Sequence, residues 1–281
     1  MFAVISATVR LLLYVLWTLV MMPVYSVALL AGTGYRAISC FYWRMTAEHI
    51  LRMKIVVRGR LVPQRPLLCV ANHVSYLDII ALGSFVQGSF VAKAEVRGWP
   101  GFGILARLAR TVFIDRRQTA VARSRSQIAD ALRRGEPLIL FPEGTSSDGN
   151  RVLSFRSSLF NVAEQDVDGQ PVTVQPVSIA YTRHWGVPMG YGLRPLYAWY
   201  GDMDLATHLW EVLLEGGFTV EIDLLEPVTL AQCGDRKALA RHCESAVRRG
   251  MNGALSGRPV VAPVPVAVTL PEVAASGSKA D

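Results

Sequence analysis

The sequence predicts an α/β protein: a single domain with a central, mostly parallel sheet flanked by helices, preceded by an N-terminal membrane-anchoring helix. Three observations carry this. Short apolar runs of strand character at residues 67–71, 89–93, 111–114 and 138–141 alternate with helical patterns, as parallel strands joined by helical crossovers do. Three of these runs, ending at 71, 114 and 141, lead into polar or charged clusters, so several loops converge on one site at the strand exits. Residues 11–35 carry no charge at all.

That uncharged stretch is the first element. Twenty-five residues at ~1.5 Å each give ~37 Å of helix, enough to cross a hydrocarbon core of ~30 Å with some tilt. It is longer than an ordinary signal-peptide core and no small-x-small cleavage site follows it, so residues 1–35 read as a transmembrane or membrane-anchor segment. Pro23 and the Gly32-Thr33-Gly34 cluster are places to kink or shorten it. Arg10 precedes the stretch, whereas Arg36, Arg44, Arg52, Lys54, Arg58 and Arg60 follow it against the single acid Glu48. Basic flanks stay cytoplasmic, which places the body on the cytoplasmic face of the membrane. Residues 36–53 alternate arginines with Ile38, Phe41, Tyr42, Met45 and Ile50. That spacing fits a basic amphipathic helix in the membrane interface, and equally a core helix of the domain.

The globular domain spans residues 54–256. A first strand at 54–59 is followed, past Pro63 and Pro66, by the run 67–71, which delivers Asn72 and His73. Asn72 has the chemistry of a helix cap, so a helix is expected from there to Gly83. After the strand at 89–93 and a turn-rich loop around Trp99 come a helix at 104–109, a strand at 111–114 and a helix at 119–134. The run 138–141 opens onto Pro142-Glu143-Gly144-Thr145-Ser146-Ser147. In the strand at 172–179, Pro176 points to an edge or a bulge. An irregular segment over 183–200, a helix at 205–214, a strand at 218–224 and a helix at 236–251 close the domain. Residues 257–281 have no period and read as a flexible tail.

A net charge of +7 also suits a nucleic-acid binder, but the basic residues are interleaved with apolar ones and no nucleic-acid motif accompanies them. Cys40, Cys69, Cys233 and Cys243 are dispersed, without a metal-binding or disulfide pattern. The chemistry instead points to His73 and Asp78. Imidazole takes a proton near neutral pH, and a carboxylate on its second nitrogen would fix the tautomer. Five residues is not a same-face helical spacing, so the pair requires His73 at or before the first turn.

Read together, the strand-end clusters resemble the glycerolipid acyltransferase family typified by bacterial lysophosphatidate acyltransferase. Its first block stands here as Asn72-His73-Val74-Ser75-Tyr76-Leu77-Asp78, its second as Phe113-Ile114-Asp115-Arg116, its third as Phe141-Pro142-Glu143-Gly144-Thr145 and its fourth as Val174-Gln175-Pro176-Val177. Two positions depart from the family pattern. The second block usually opens on glycine, where Arg110 stands, and the third usually continues with arginine, where Ser146 stands. Losing that guanidinium removes a bidentate contact to a phosphate, and the run from Ser146 to Arg151 is more similar to bacterial enzymes that acylate lyso-ornithine lipid.

The resemblance implies an acyl transfer without a cofactor, from acyl carrier protein or coenzyme A thioester to the hydroxyl of a lysolipid, at the cytoplasmic face of a bacterial inner membrane. His73 would be the base and Asp78 its orienting partner. Asn72, Arg116, Glu143, Gly144, Thr145, Ser146 and Arg156 would contribute to substrate binding. A lipid esterase or thioesterase and a non-catalytic lipid-binding protein are the alternatives. The first lacks its Gly-x-Ser-x-Gly elbow, and the second requires no function of His73.

Overall fold

The computed structural model describes residues 1–99, 102–114 and 121–262. In chain order the elements are α1 (Phe2–Leu30), α2 (Tyr35–Met45) with a π-helical turn over Thr46–Ile50, β1 (Met53–Arg58), β2 (Leu67–Ala71), α3 (Leu77–Gly83), β3 (Ser89–Lys93), α4 (Phe102–Leu108), β4 (Val112–Ile114), α5 (Val121–Arg133) and β5 (Leu138–Leu140). A short ribbon of β6 (Asp166–Val167) and β7 (Gln170–Pro171) leads to β8 (Thr173–His184) and β9 (Val187–Pro188). The chain closes with α6 (Leu205–Glu215), β10 (Phe218–Leu224), β11 (Val228–Thr229), α7 (Leu230–Cys233) and α8 (Arg236–Leu255).

Seven strands run in the order β1-β10-β8-β2-β5-β3-β4, with β9 and β11 added along β8. From β8 to β4 every step in this order is parallel, as is β1 on β10, whereas β10, β9 and β11 all pair with β8 antiparallel. The expected mostly parallel sheet is therefore observed. β2 shows why its run is continuously apolar: Leu67, Cys69 and Ala71 face one core, Leu68 and Val70 the other. A strand buried on both faces has no solvent side to mark with polar residues. One core is covered by α1, α3 and α6, the other by α5 and α8.

β8 corrects the reading of Pro176. The strand is central, pairing β2 on one side and β10 on the other, and Pro176 lies opposite Val70. Its carbonyl accepts from Leu225 N at 2.9 Å, just where β10 ends at Leu224 and before β11 begins at Val228. A residue's N–H and C=O leave a strand on the same side, so the missing N–H falls in the gap between those two strands and no ladder bond is lost.

α1 is long and apolar enough to cross a membrane, and most of it is not buried by the domain. It starts before Arg10, runs through Pro23 and ends at a turn in which Gly32 and Gly34 take φ values of 70° and 71°. Its other face lies along the domain. Arg10, expected as a flanking charge, is buried and donates to the carbonyls of Ile50 and Leu213. Further along, Thr18 Oγ1 meets Tyr42 Oη at 2.9 Å and Tyr25 Oη donates to Leu108 O at 2.9 Å.

The 36–53 segment is broken into α2 and the π-helical turn, and it packs on α3. A Cβ built on Gly83 would stand 2.7 Å from Trp43 Cδ1, so glycine is what admits the indole. Of the basic residues that follow the apolar stretch, Arg58 is buried between Glu221 and Asp223 and does not reach the surface. Arg44, Arg52, Lys54 and Arg60 remain exposed. Of the tail read over 257–281, residues 263–281 lie outside the described residues.

Candidate active site

β2 ends at Ala71, and residues 72–76 form an open turn instead of the expected first helical turn. α3 begins only at Leu77, which puts Asp78 in its first turn, reaching back over the chain. Asp78 Oδ2 accepts from Val74 N at 2.7 Å, Ser75 N at 3.0 Å and His73 Nδ1 at 2.8 Å, and Oδ1 accepts from Tyr181 Oη at 2.8 Å. The carboxylate is wholly buried, and these four donors offset its lost hydration. Burial, and then the Asp78 charge, push the Tyr181 hydroxyl well above its ordinary value, so it stays a donor.

The tautomer of His73 follows from the acceptor-only chemistry of a carboxylate. Nδ1 carries the proton toward Asp78, which leaves Nε2 with a free lone pair. The ring is clamped from one side by Phe141, stacked at 4.1 Å between centroids with 18° between planes. Its side chain retains 19% exposure. A base that is fixed in orientation, with one nitrogen left open, can take a proton from a hydroxyl brought to Nε2.

β5 exits beside β2, so Phe141 and the following loop face the histidine. Gly144, at φ 70°, makes the turn, and its amide donates to Phe141 O at 3.1 Å. Ser147 N donates to His73 O at 2.9 Å, Trp199 N to Val74 O at 2.9 Å, and the Ser146 hydroxyl to Trp199 O. Three loops are thereby laced together around the ring. They border an apolar cavity of about 440 Å³ that runs from His73, Gly144, Thr145 and Ser146 to Ala109 and Thr111, with Leu11 and Tyr14 of α1 in its wall.

The other expected site residues are placed differently. Asn72 is neither a helix cap nor exposed to substrate: its amide donates to Ile179 O at 2.9 Å and accepts from Ile179 N at 2.8 Å, stitching the turn to β8. Arg156 is exposed and absent from the cavity wall, and Arg116 lies outside the described residues. At Arg110, where the family pattern has glycine, φ is 56°. The left-handed conformation costs an ordinary residue about 1 kcal/mol, and the guanidinium offsets it by reaching Tyr35 Oη at 2.9 Å and Glu136 Oε1 at 3.2 Å.

Glu143 turns inward. Its Oε1 accepts from Leu153 N at 3.2 Å, while Oε2 is buried with no partner among the described residues. Burial, reinforced by the nearby Asp78 and Glu244 charges, pushes its carboxyl up to about 9 against the pull of the Leu153 and His73 amides. At neutral pH it is an uncharged loop brace. Such a group binds more protons folded than unfolded, so it weakens stability as pH rises from about 4.3 toward its folded value. Glu143→Gln is therefore expected to keep near-wild-type acyl transfer and to flatten the decline of thermal stability between about pH 5 and pH 9. A loss of tenfold or more in Glu143→Gln would show that a carboxylate is needed there.

Sequence reasoning did not assign roles to Phe141, Tyr181 or Trp199. Phe141 could have been found, since its run exits beside that of His73. Tyr181 is 103 residues from Asp78 and no local pattern marks it.

Comparison with known proteins agrees with this geometry. The acyltransferase family model matches residues 54–180. The chain is 44% identical over 229 residues to a lyso-ornithine lipid O-acyltransferase of Brucella abortus, covering 80% of this chain and 85% of that protein. It is 41% identical over 253 residues to one of Rhizobium meliloti, covering 88% and 86%. The crystal structure of the 1-acyl-sn-glycerophosphate (LPA) acyltransferase PlsC from Thermotoga maritima is similar, with a TM-score of 0.55, 25% identity and coverage of 87% of this chain and 95% of that one. Agreement on this scale, reaching across the His73 turn and the Glu143 loop alike, reflects common descent: the chain belongs to the acyltransferase family.

Proposed function

We propose that the protein transfers a fatty acyl group from an acyl carrier protein or coenzyme A thioester to the free hydroxyl of a single-chain lysolipid, with lyso-ornithine lipid preferred over lysophosphatidate. The observation that carries this reading is placement: His73, with Nδ1 committed to Asp78 and a lone pair free on Nε2, lines a large apolar cavity. A fatty chain lying in that cavity brings its thioester carbonyl beside the ring. As the acceptor hydroxyl attacks the carbonyl carbon, His73 takes its proton. The tetrahedral intermediate then collapses, the C–S bond breaks, and the thiolate leaves with the proton from the imidazolium. Asp78 stabilises the imidazolium in between. The acceptor oxygen is the nucleophile, so no acyl-enzyme forms.

The acceptor assignment rests on the relatives named for lyso-ornithine lipid and on serine, not a cation, at position 146. The outer face of α1, with Leu12, Leu16, Leu19, Val27 and Leu30 exposed, beds in the bilayer while its inner face stays on the domain. Arg44, Arg52, Lys54 and Arg60 favour the cytoplasmic face of the inner membrane.

The test is kcat/KM for lyso-ornithine lipid and for lysophosphatidate, presented in the same vesicles to the full-length protein. The reading expects the first to exceed the second by tenfold or more. Lysophosphatidate used at least as efficiently overturns the acceptor, and acyl release that needs no acceptor overturns transfer in favour of hydrolysis.

A further inference from the structure

Beside His73 the cavity wall carries three aromatic rings in contact. Tyr76 and Trp199 have centroids 6.1 Å apart and meet at 72°, and Trp199 and Trp99 are 5.9 Å apart at 81°. The polar handles of two of them are tied off away from the cavity. The Trp199 indole N–H donates to Met203 O at 2.9 Å, and the Tyr76 hydroxyl pairs with His208 Nδ1 at 3.2 Å. Trp199 is further fixed through its backbone, its amide on Val74 and its carbonyl on the Ser146 hydroxyl. What the cluster offers a ligand is ring surface, held in mutually crossed planes. Trp99 keeps 39% exposure, so the cluster extends from the cavity wall to solvent. Lys93 lines the same cavity and supplies a cation.

We propose that this cluster is the headgroup site of the acceptor, and that it receives a zwitterionic amino-acid head: the primary ammonium against the faces of Tyr76, Trp99 and Trp199, the carboxylate toward Lys93. The inference rests on the acceptor reading above and adds the residues that enforce it. Crossed aromatic faces attract an ammonium through the ring quadrupole and give nothing to a phosphate dianion. A serine at position 146 serves this site twice, by holding Trp199 in place and by keeping a competing cation out of it.

The experiment compares lyso-ornithine lipid with the same lipid acetylated on its side-chain nitrogen, which removes the positive charge and leaves the reacting hydroxyl untouched. In the wild-type protein, acetylation is expected to raise KM roughly tenfold, between what an exposed and a fully desolvated cation–π contact supply, with kcat retained. In Trp199→Leu the KM for the unmodified acceptor rises and the further cost of acetylation shrinks well below that in wild type, since only Tyr76 and Trp99 remain to face the ammonium. Trp99→Leu, at an exposed position, moves KM in the same direction. Equal KM for the two acceptors in wild type, or the same acetylation penalty in Trp199→Leu as in wild type, overturns the site and leaves the acceptor reading standing. Failure of the wild-type protein to acylate either ornithine lipid, with lysophosphatidate accepted, overturns both.

Discussion

Replacing His73 by alanine lowers kcat by about 10²–10⁴-fold, the contribution of a positioned general base. At 1.36 kcal/mol per decade this is about 3–5 kcal/mol of barrier. The fold survives, because Asp78 retains its bonds to Val74 N, Ser75 N and Tyr181 Oη when the imidazole is gone. One hydrogen bond is lost, worth about 1 kcal/mol net. Initial rates of acyl transfer, read beside the thermal unfolding midpoint of the same preparation, check both halves. A variant that transfers acyl groups within threefold of wild type contradicts the role of the ring.

Asp78 is expected to behave differently, because its carboxylate holds the turn as well as the base. Asp78→Ala leaves two backbone amides and the Tyr181 hydroxyl buried without a partner, at about 1–3 kcal/mol each. That is a large fraction of the 5–15 kcal/mol by which a domain is stable, and the variant should be recovered poorly or unfolded. Asp78→Asn keeps an oxygen for the amides of Val74 and Ser75 but removes the charge that stabilises the imidazolium. It should fold and lose about 10²-fold or more in kcat. Tyr181→Phe keeps the ring in its stack with Tyr197 and Phe218 and loses one bond to Asp78, so it should cost about 1 kcal/mol of stability and only a severalfold drop in rate. If Asp78→Asn and Tyr181→Phe were equally active, the negative charge would not be what matters.

Much of this was legible in the sequence because the sheet is buried on both faces. Runs such as Leu67–Ala71 and Leu138–Leu140 are apolar throughout, and the polar residues that follow mark where each strand leaves the core. His73 and Asp78 were legible for a related reason: a histidine and an acid five residues apart make sense only across a strand exit. The helix begins at Leu77 and not after Asn72, because the amide that could cap it is taken by the Ile179 backbone from a strand more than 100 residues away. Pro176 misled for the same reason, since local chemistry does not show that β10 stops opposite it. Nothing in the Glu143 loop announces that its carboxyl is buried and neutral. That depends on Leu153 and Glu244 arriving from elsewhere in the fold. Arg110 shows the converse, a residue in a backbone conformation suited to glycine, held there by side chains from α2 and the loop before β5.

The account depends most on the acceptor hydroxyl, activated by His73, being the nucleophile. The measurement that tests this directly is thiol release from the acyl thioester by the full-length protein, followed with and without lysolipid and scored against the two-chain product. Release should require the acceptor, match product one for one, and fall with the His73→Ala variant by the same factor as product. Thiol released in the absence of acceptor, as a burst equal to the enzyme or as continuous turnover, would contradict it.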